Sequence, residues 1–258
     1  MTALKTNPVR ENLQAGGTSL GCFLGLESSS VAEMLGHAGF EWLMIEAEHN
    51  ALDMAQVQDM IRAVNTTPAV PLVRIPSADR VFIQRVLDVG AMGIMVPMIR
   101  SLEEVRQVVQ ATRYPPEGRR AFGGLRASKY TFDNEGYFRR ANQNILVIII
   151  IETSEAVDQI DAIASEPGVD ALMIGPFDLY LSYGLDPFKQ PSPEAEAIME
   201  RVLAAGRKHN TPVGLVYGSP EQVKQRRDEG FQLLALTDYL MLANRARECL
   251  QIVSGELE

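Results

Sequence analysis

Short apolar runs alternate with segments of helical periodicity along most of the chain. The runs contain almost no polar alternation, which is typical of parallel strands whose sheet is covered on both faces. Eight such runs are present, and each is followed by a segment with the apolar spacing of a helix. The predicted strands are "SLGCFLGL" (19–26), "FEWLMIEA" (40–47), "PAVPLVRI" (68–75), "MGIMVPMI" (92–99), "NILVIIIIE" (144–152), "DALMIG" (170–175), "PVGLVYG" (212–218) and "FQLLALT" (231–237).

The helical segments follow these strands in regular order. Eight strand–helix pairs in a chain of 258 residues predict an α/β fold, a (β/α)8 TIM barrel that spans residues 1–258 as a single domain. A doubly wound open sheet is the alternative, because strand counts from one sequence are error-prone. The polar segment that precedes the fifth strand carries no predicted element. The predicted helices cover residues 29–39, 51–64, 78–90, 101–113, 154–165, 192–209, 219–230 and 238–253.

Composition narrows the classes of function open to such a barrel. Apolar residues make up 46% of the chain, enough for a large core, and the net charge of −9 argues against a nucleic-acid surface. Cys22 and Cys249 lie far apart, so we expect no disulfide framework and a cytoplasmic protein. We also expect no signal peptide and no membrane span, because the longest apolar run covers only residues 145–151.

Polar residues follow the predicted strands at the end where a barrel carries its chemistry. Because the strands are parallel, carboxylates, one histidine and one arginine should converge on one face. Two carboxylates from neighbouring strands suit a hard divalent cation such as Mg²⁺ or Mn²⁺. The residues concerned are Glu46, Glu48 and His49 after strand two, Arg74 after strand three, Glu152 after strand five, Asp178 after strand six, and Thr237 and Asp238 after strand eight.

Each of these residues also has a plain structural explanation. Glu152 or Asp178 could cap the helix that follows it, and Arg74 could lie in a surface loop. His49 taken alone is more often structural than catalytic. A carboxylate after a buried apolar run is nevertheless unfavourable unless it is paired or bound to metal, which favours the joint interpretation.

Other chemistries find less support in the sequence. No lysine ends a predicted strand, which disfavours an aldolase that forms a Schiff base. No group of histidines and cysteines has the spacing of a structural zinc site. No glycine-rich phosphate loop follows a strand, so a nucleotide site is not expected.

Two further segments offer candidate substrate contacts. The turn "GPFD" places Gly175, Pro176 and Phe177 ahead of a short helix, where backbone N–H groups suit a substrate carboxylate. The segment 113–130 carries four arginines and Lys129. It is either a mobile basic lip for anionic substrates or a loop in solvent or in a subunit contact.

Four stretches of the chain are similar to a known enzyme family. They are "GFEWLMIEAEHNALD", "PLVRIPSADRVFIQRVLDVGAMGIMVPMIRSLEEVRQVVQATRYPPEGRR", "IIIIETSEAVDQIDAIASEPGVDALMIGPFDL" and "GFQLLALTDYLMLA", and they extend over most of residues 18–245. On these stretches the chain resembles the HpcH/HpaI aldolase family. The resemblance implies a divalent-metal-dependent carbon–carbon lyase on a (β/α)8 barrel. Such an enzyme cleaves 4-hydroxy-2-oxo acids to pyruvate and an aldehyde through a metal-stabilised pyruvate enolate, and catalyses the reverse aldol addition.

The resemblance also implies roles for individual residues of this sequence. Glu152 and Asp178 would bind the cation, which would be Mg²⁺, Mn²⁺ or Co²⁺. His49 would transfer the proton, and Arg74 would stabilise the oxygens of the substrate. Asp88 would be the partner of the histidine.

The position of Asp88 adds a constraint on assembly. Asp88 ends the third predicted helix, at the opposite end of the barrel from His49. The pairing of these two residues would therefore cross a subunit boundary. This fits the assembly that the resemblance implies, a homo-hexamer built as a dimer of trimers with a swapped C-terminal helix.

The chain departs from the family pattern at two positions. Glu46 stands where the family usually has aspartate, and Ile150 stands where glutamine is often found two residues before the metal-binding glutamate. Both departures bear on the substrate and leave the metal pair intact. Glu46 and Glu48 are expected to hold metal-bound waters or to orient His49.

Two other functions stay open on the sequence. A decarboxylase of 2-oxo acids, such as one that acts on oxaloacetate, would use the same residues. A catalytically inactive barrel could instead bind a small acid as a sensor. The intact set of His49, Arg74, Glu152 and Asp178 argues against that last function.

Overall fold

The computed structural model describes residues 6–189 and 192–255. Eight parallel strands form a closed barrel in which each strand pairs with the next along the chain and the last pairs with the first. This arrangement confirms the predicted (β/α)8 TIM barrel and contradicts the open sheet. The strands are β1 (Ser19–Leu24), β2 (Trp42–Glu46), β3 (Val70–Arg74), β4 (Gly93–Val96), β5 (Leu146–Ile151), β6 (Ala171–Ile174), β7 (Val213–Val216) and β8 (Leu233–Thr237).

Helices surround the barrel, and most of their bounds lie within three residues of the predicted ones. Two helices, Pro8–Gln14 and Asn134–Asn144, lie where no element was predicted. The helices are α1 (Pro8–Gln14), α2 (Ser29–Ala38), α3 (Met54–Val64), α4 (Arg80–Asp88), α5 (Leu102–Thr112), α6 (Asn134–Asn144), α7 (Ser154–Asp158), α8 (Ile160–Ala164), α9 (Pro176–Ser182), α10 (Pro193–His209), α11 (Pro220–Asp228) and α12 (Asp238–Ser254).

The single helix predicted over residues 154–165 is divided into α7 and α8 at Gln159. The side-chain oxygen of Gln159 accepts a hydrogen bond of 3.2 Å from the backbone N–H of Leu102. Its amide group donates to the carbonyl oxygen of Arg100 at 3.0 Å. These long-range bonds tie the break to the neighbouring loop, which a local periodicity does not reveal.

Helix α1 closes the end of the barrel at which the strands begin. Val9 and Leu13 are buried in the same apolar cluster as the side chains that fill the barrel interior. The amide of Asn7 donates to the carbonyl oxygens of Met92 at 2.9 Å and Asn144 at 3.0 Å, just before β4 and β5. The helix is therefore fixed across the opening by both packing and hydrogen bonds.

The carboxyl ends of neighbouring strands lie at one level. Glu46 on β2 pairs in register with Arg74 on β3, and Ile151 on β5 pairs with Ile174 on β6. The next residue after β5 is Glu152, so it emerges beside the turn that follows β6. The register thus brings the polar residues predicted at the strand ends to a common rim.

The last helix, α12, packs little against its own barrel. Of its described residues only Asp238 is buried. Leu242, Leu250 and Val253 are 60%, 71% and 87% exposed. Despite these apolar side chains, neither α12 nor another helix in the described part of the chain has the length and apolar character needed to cross a membrane.

Candidate active site

Glu46, the last residue of β2, organises the loop that carries His49. Its Oε1 accepts hydrogen bonds from the backbone N–H groups of Glu48 at 2.8 Å and His49 at 3.1 Å. Its Oε2 pairs with the guanidinium of Arg74, the neighbour of Glu46 in the strand register. These bonds fix the backbone of His49 and the position of Arg74. That Glu46 also binds metal-bound waters stays a prediction.

Glu48 lies between Arg74 and His49, and one of its carboxylate oxygens, Oε2, has no hydrogen-bond donor among the described residues. Oε2 is 3.2 Å from Arg74 Nε and 3.5 Å from Nε2 of His49, yet it is buried and accepts no hydrogen bond from the described residues. Burial raises the pKa of this carboxyl to about 7, Arg74 opposes the shift, and the charges of Glu46 and Asp178 add to it. An oxygen in this state can accept a proton or a cation.

Glu152 emerges from β5 into a buried position at the same rim. Its Oε1 accepts a hydrogen bond of 2.6 Å from the backbone N–H of Met98. Met98 has a left-handed φ of 56°, which is uncommon for a residue other than glycine. Burial raises the pKa of Glu152 to about 7, the Met98 bond opposes the shift, and Glu48 and Asp178 raise the pKa further. Negative charge is unfavourable here, and a bound cation would relieve it.

The turn after β6 lies directly against Glu152. A Cβ atom added to Gly175 would be 2.5 Å from Glu152 Oε2, so a larger residue would displace the carboxylate. Pro176 begins α9, and Asp178 lies exposed in its first turn. The predicted contact of Gly175, Pro176 and Phe177 with a substrate carboxylate stays a prediction.

The donor set at this rim fits a hard divalent cation. Glu152 and Asp178 offer carboxylate oxygens from neighbouring elements, and their charges act on each other. Among the described residues, no three His, Cys, Asp or Glu side chains form a complete cluster of metal ligands. Mg²⁺ is commonly held by one or two carboxylates, with waters and substrate oxygens completing its coordination. Two carboxylates beside the buried, unbonded Oε2 of Glu48 are compatible with a site of that kind.

A cavity of about 540 Å³ opens from this rim. It extends from Arg74 and Glu152 past Asp178 to Tyr217 and Arg226. The cavity therefore continues well beyond the proposed metal ligands, between the loops that follow β6 and β7.

Ile150, one of the two departures from the family pattern, is only 2% exposed and belongs to the apolar cluster inside the barrel. Its Cγ2 lies 3.2 Å from the position that a Cβ of Gly175 would take. The side chain of Ile150 therefore packs directly beneath the turn after β6 and makes this part of the site apolar.

Asp88 lies at the other end of the barrel, as the last residue of α4. Its Oδ1 accepts a hydrogen bond of 2.7 Å from Nη2 of Arg120, whose guanidinium stacks over the ring of Tyr114 at 4.7 Å. Asp88 is therefore engaged far from His49 of its own chain. Its pairing with the histidine of a neighbouring subunit stays a prediction.

Three of the four arginines in segment 113–130 are held by their own chain. Arg113 is buried and pairs with Asp170 at 3.3 Å. Arg126 donates to a backbone carbonyl oxygen at 2.8 Å, and Arg120 is the buried partner of the α4 carboxylate described above. These contacts stabilise the fold and weaken the interpretation of the segment as a mobile basic lip.

Asp238, which the sequence suggests as another carboxylate at the rim, stabilises the fold instead. Its Oδ1 accepts from the backbone N–H of Gly25 at 2.8 Å, and its Oδ2 accepts from that of Leu26 at 3.1 Å. These bonds tie the end of β1 to the start of α12. Both oxygens of the Asp238 carboxylate therefore accept hydrogen bonds from backbone N–H groups.

Parts of the site carry little or no sequence signal. The left-handed backbone of Met98, which bonds Glu152, is not marked by the residue type. The distal wall of the cavity, with Tyr217 and Arg226, contains no recognisable sequence motif. Tyr217 directly follows β7, and its position after a strand was the one available indication.

The chain is similar to known proteins in sequence and in fold. The family model of HpcH/HpaI aldolase/citrate lyase matches residues 19–245. The chain is 35% identical to a 2-dehydro-3,6-dideoxy-6-sulfogluconate aldolase of Pseudomonas putida, over 94% of this chain and 95% of the relative. It is 37% identical to a 4-hydroxy-2-oxovalerate aldolase of Novosphingobium aromaticivorans, over 89% of this chain and 87% of the relative.

A solved structure shows the same architecture. The crystal structure of a HpcH/HpaI aldolase/citrate lyase family protein from Burkholderia cenocepacia J2315 is 35% identical in sequence, with a TM-score of 0.91. The similarity covers 96% of this chain and 100% of that one. The sequence match over most of the barrel and the common fold show that the chain belongs to the HpcH/HpaI aldolase/citrate lyase family.

Proposed function

We propose that the protein is a divalent-metal-dependent aldolase that cleaves 4-hydroxy-2-oxo acids to pyruvate and an aldehyde and catalyses the reverse addition. The observation that carries the proposal is the buried carboxyl of Glu152, which lines the same cavity as the carboxyl of Asp178 at the carboxyl ends of neighbouring strands. The relatives named above are aldolases, and they differ in the substrate that their names give.

Glu152 and Asp178 are the residues that would hold the cation, and we propose Mg²⁺, Mn²⁺ or Co²⁺. The bound cation supplies Lewis-acid polarisation of the 2-oxo group. Arg74, held by Glu46 and 19% exposed in its side chain, places a positive charge at the same rim. This charge offsets the negative charge that develops on the substrate oxygens during cleavage.

His49 is the proposed proton carrier. Cleavage between C3 and C4 requires the proton of the C4 hydroxyl to leave, and Nε2 of His49 accepts it directly or through a water. The imidazole is 63% exposed, and Nε2 lies 3.5 Å from Oε2 of Glu48. With a pKa of about 7, Glu48 can share the proton. Asp88 of a neighbouring subunit would orient the imidazole.

Chelation is expected to abolish pyruvate release, and Mg²⁺, Mn²⁺ or Co²⁺ should restore it. Glu152 and Asp178 offer oxygen ligands, whereas none of the described residues that line the cavity is a lysine able to form an imine. The measurement is pyruvate release from a panel of 4-hydroxy-2-oxo acids with and without EDTA.

The same assay separates the competing functions. Pyruvate trapped covalently on the protein by borohydride would establish an imine mechanism and contradict the metal proposal. Turnover of oxaloacetate without turnover of any 4-hydroxy-2-oxo acid would identify a decarboxylase. Pyruvate binding without turnover of either class would identify a non-catalytic barrel.

We also propose that the chain assembles as a homo-hexamer, a dimer of trimers that exchanges α12. The support is the exposed apolar surface of this helix, where Leu242, Leu250 and Val253 are left uncovered by their own barrel. The distance of Asp88 from His49 within one chain points the same way, because only a neighbour can bring the two together.

Light scattering is therefore expected to give a hexamer, or at least a trimer. A Leu250→Glu, Val253→Glu variant should dissociate, because it places charge in the apolar contact. Its cleavage rate should fall with the loss of assembly. A strictly monomeric protein with full activity would contradict the proposal.

A further inference from the structure

Two phenylalanines lie together at the edge of the active-site cavity. Phe177, next to Asp178 on α9, lines the cavity and is 55% exposed. Its ring meets that of Phe188 edge to face, with ring centroids 5.8 Å apart and an interplanar angle of 75°. Phe188 belongs to the short 3-10 turn Pro187–Lys189 and is 86% exposed. Phe177 therefore presents an apolar ring to the cavity, and Phe188, next to the lining residue Pro187, packs against that ring at the margin.

The cavity is larger than a three-carbon 2-oxo acid requires. Its volume of about 540 Å³ lies within the range of about 300–1,000 Å³ that is typical of cavities for drug-sized ligands. Glu152 lies at one end, and the walls beyond Asp178 include Tyr217 and Tyr239. Space for the second cleavage product is therefore present beside Phe177.

The guanidinium at the end of the cavity away from Glu152 is already neutralised by protein carboxylates. Among the described lining residues, the cations are Arg74 and Arg226. Arg74 pairs with Glu46. Arg226 donates to both oxygens of Glu196, at 2.6 and 2.9 Å, and to Glu229 at 2.8 Å. Arg226, bound in this way, has little capacity left for a carboxylate on the aldehyde half of the substrate, so an acidic tail is not favoured at this end of the cavity.

We propose that Phe177 and Phe188 form the specificity surface for the aldehyde half of the substrate, and that this half carries an uncharged apolar or aromatic group. The inference rests on the aldolase function proposed above. Phe177 and Asp178 both line the cavity, so the C4 substituent of a 2-oxo acid held at the Asp178 carboxylate can reach the Phe177 ring. An aromatic substituent can then meet the ring pair edge to face, the arrangement that the two rings already adopt with each other.

The test compares three 4-hydroxy-2-oxo acids that differ at C4, with a methyl, a phenyl or a carboxyethyl substituent. The readout is kcat/KM for pyruvate release by the full-length protein with Mg²⁺. The wild type should prefer the phenyl substrate and disfavour the carboxyethyl one. Phe177→Ala and Phe188→Ala should each lower kcat/KM for the phenyl substrate by roughly 10- to 100-fold. Phe188→Ala should leave turnover of the methyl substrate unchanged, and Phe177→Ala should lower kcat/KM for the methyl substrate much less than for the phenyl substrate.

Two control variants separate recognition from folding. Phe177→Tyr keeps an aromatic ring and should keep the phenyl preference. Phe132→Ala removes a phenylalanine that is 85% exposed and does not line the cavity, so it should leave all three substrates unaffected. Equal losses of phenyl and methyl turnover in Phe177→Ala would mean that the ring supports the site structurally, and would overturn the inference.

The methyl substrate distinguishes failure of the inference from failure of the proposed function. Release of pyruvate from it without any preference for the phenyl substrate overturns the specificity surface alone. A wild-type preference for the carboxyethyl substrate does the same. No release of pyruvate from any of the three overturns the aldolase function and the inference together.

Discussion

An Asp178→Ala variant is expected to lose metal binding and pyruvate binding together and to cleave its substrate at least about 10³-fold more slowly. Asp178 provides one of only two carboxylates that we assign to the cation, and its charge acts on Glu152, the other. Lewis-acid polarisation contributes several kcal/mol, and each ~1.4 kcal/mol is a factor of ten in rate. The remaining carboxylate should hold the cation much more weakly, because one of its two assigned protein ligands is gone.

The measurement is calorimetric titration of the variant with Mn²⁺, followed by pyruvate, alongside the cleavage rate. Asp158→Ala is the matched control, because Asp158 is a surface carboxylate on α7 with a side chain that is 73% exposed. The control should bind Mn²⁺ as the wild type does. Wild-type Mn²⁺ affinity in Asp178→Ala would remove this residue from the metal site.

Replacing His49 with alanine should slow cleavage by about 10²- to 10⁴-fold, the usual contribution of a general acid–base group, while metal and pyruvate affinity stay nearly intact. The structure explains why the cleavage rate should fall while the affinities for metal and pyruvate stay nearly intact. The backbone N–H of His49, and not its ring, bonds to Glu46. Removing the exposed imidazole should therefore leave the loop and the partner of Arg74 in place.

Single-turnover rates and pyruvate affinity, measured on the same preparation, check this expectation. His37→Ala is the control, since His37 is an exposed histidine on α2. Loss of pyruvate binding as complete as in Asp178→Ala would make His49 a ligand or a structural residue. A full cleavage rate would mean that the proton moves through Glu46, Glu48 or bulk water.

The barrel and its rim could be predicted because both follow from local patterns. Continuous apolar runs predict buried parallel strands, and parallel strands carry their following residues to one edge. These patterns are enough to predict that Glu152, Asp178 and His49 lie on one face of the barrel. The register of β2 with β3 then explains the pairing of Glu46 with Arg74.

The features that could not be predicted from the sequence depend on contacts between distant parts of the chain. Helix α6 buries only Ala141, so its sequence has no apolar stripe to indicate a helix. The arginines of segment 113–130 look like a solvated basic patch, yet Arg113 and Arg120 are buried against carboxylates that lie far away in the sequence. The left-handed backbone of Met98 is fixed by its surroundings and has no residue-type signature.

The packing of α1 against the start of the barrel has a kinetic consequence. With Val9 and Leu13 plugging that end, ligands are expected to exchange at the rim, where Glu152 at the proposed pyruvate end is buried and Phe177 at the proposed aldehyde end is 55% exposed. We therefore expect the aldehyde to depart before pyruvate. Product inhibition should then be competitive for pyruvate and noncompetitive for the aldehyde, whereas competitive inhibition by both would show that the products leave in random order.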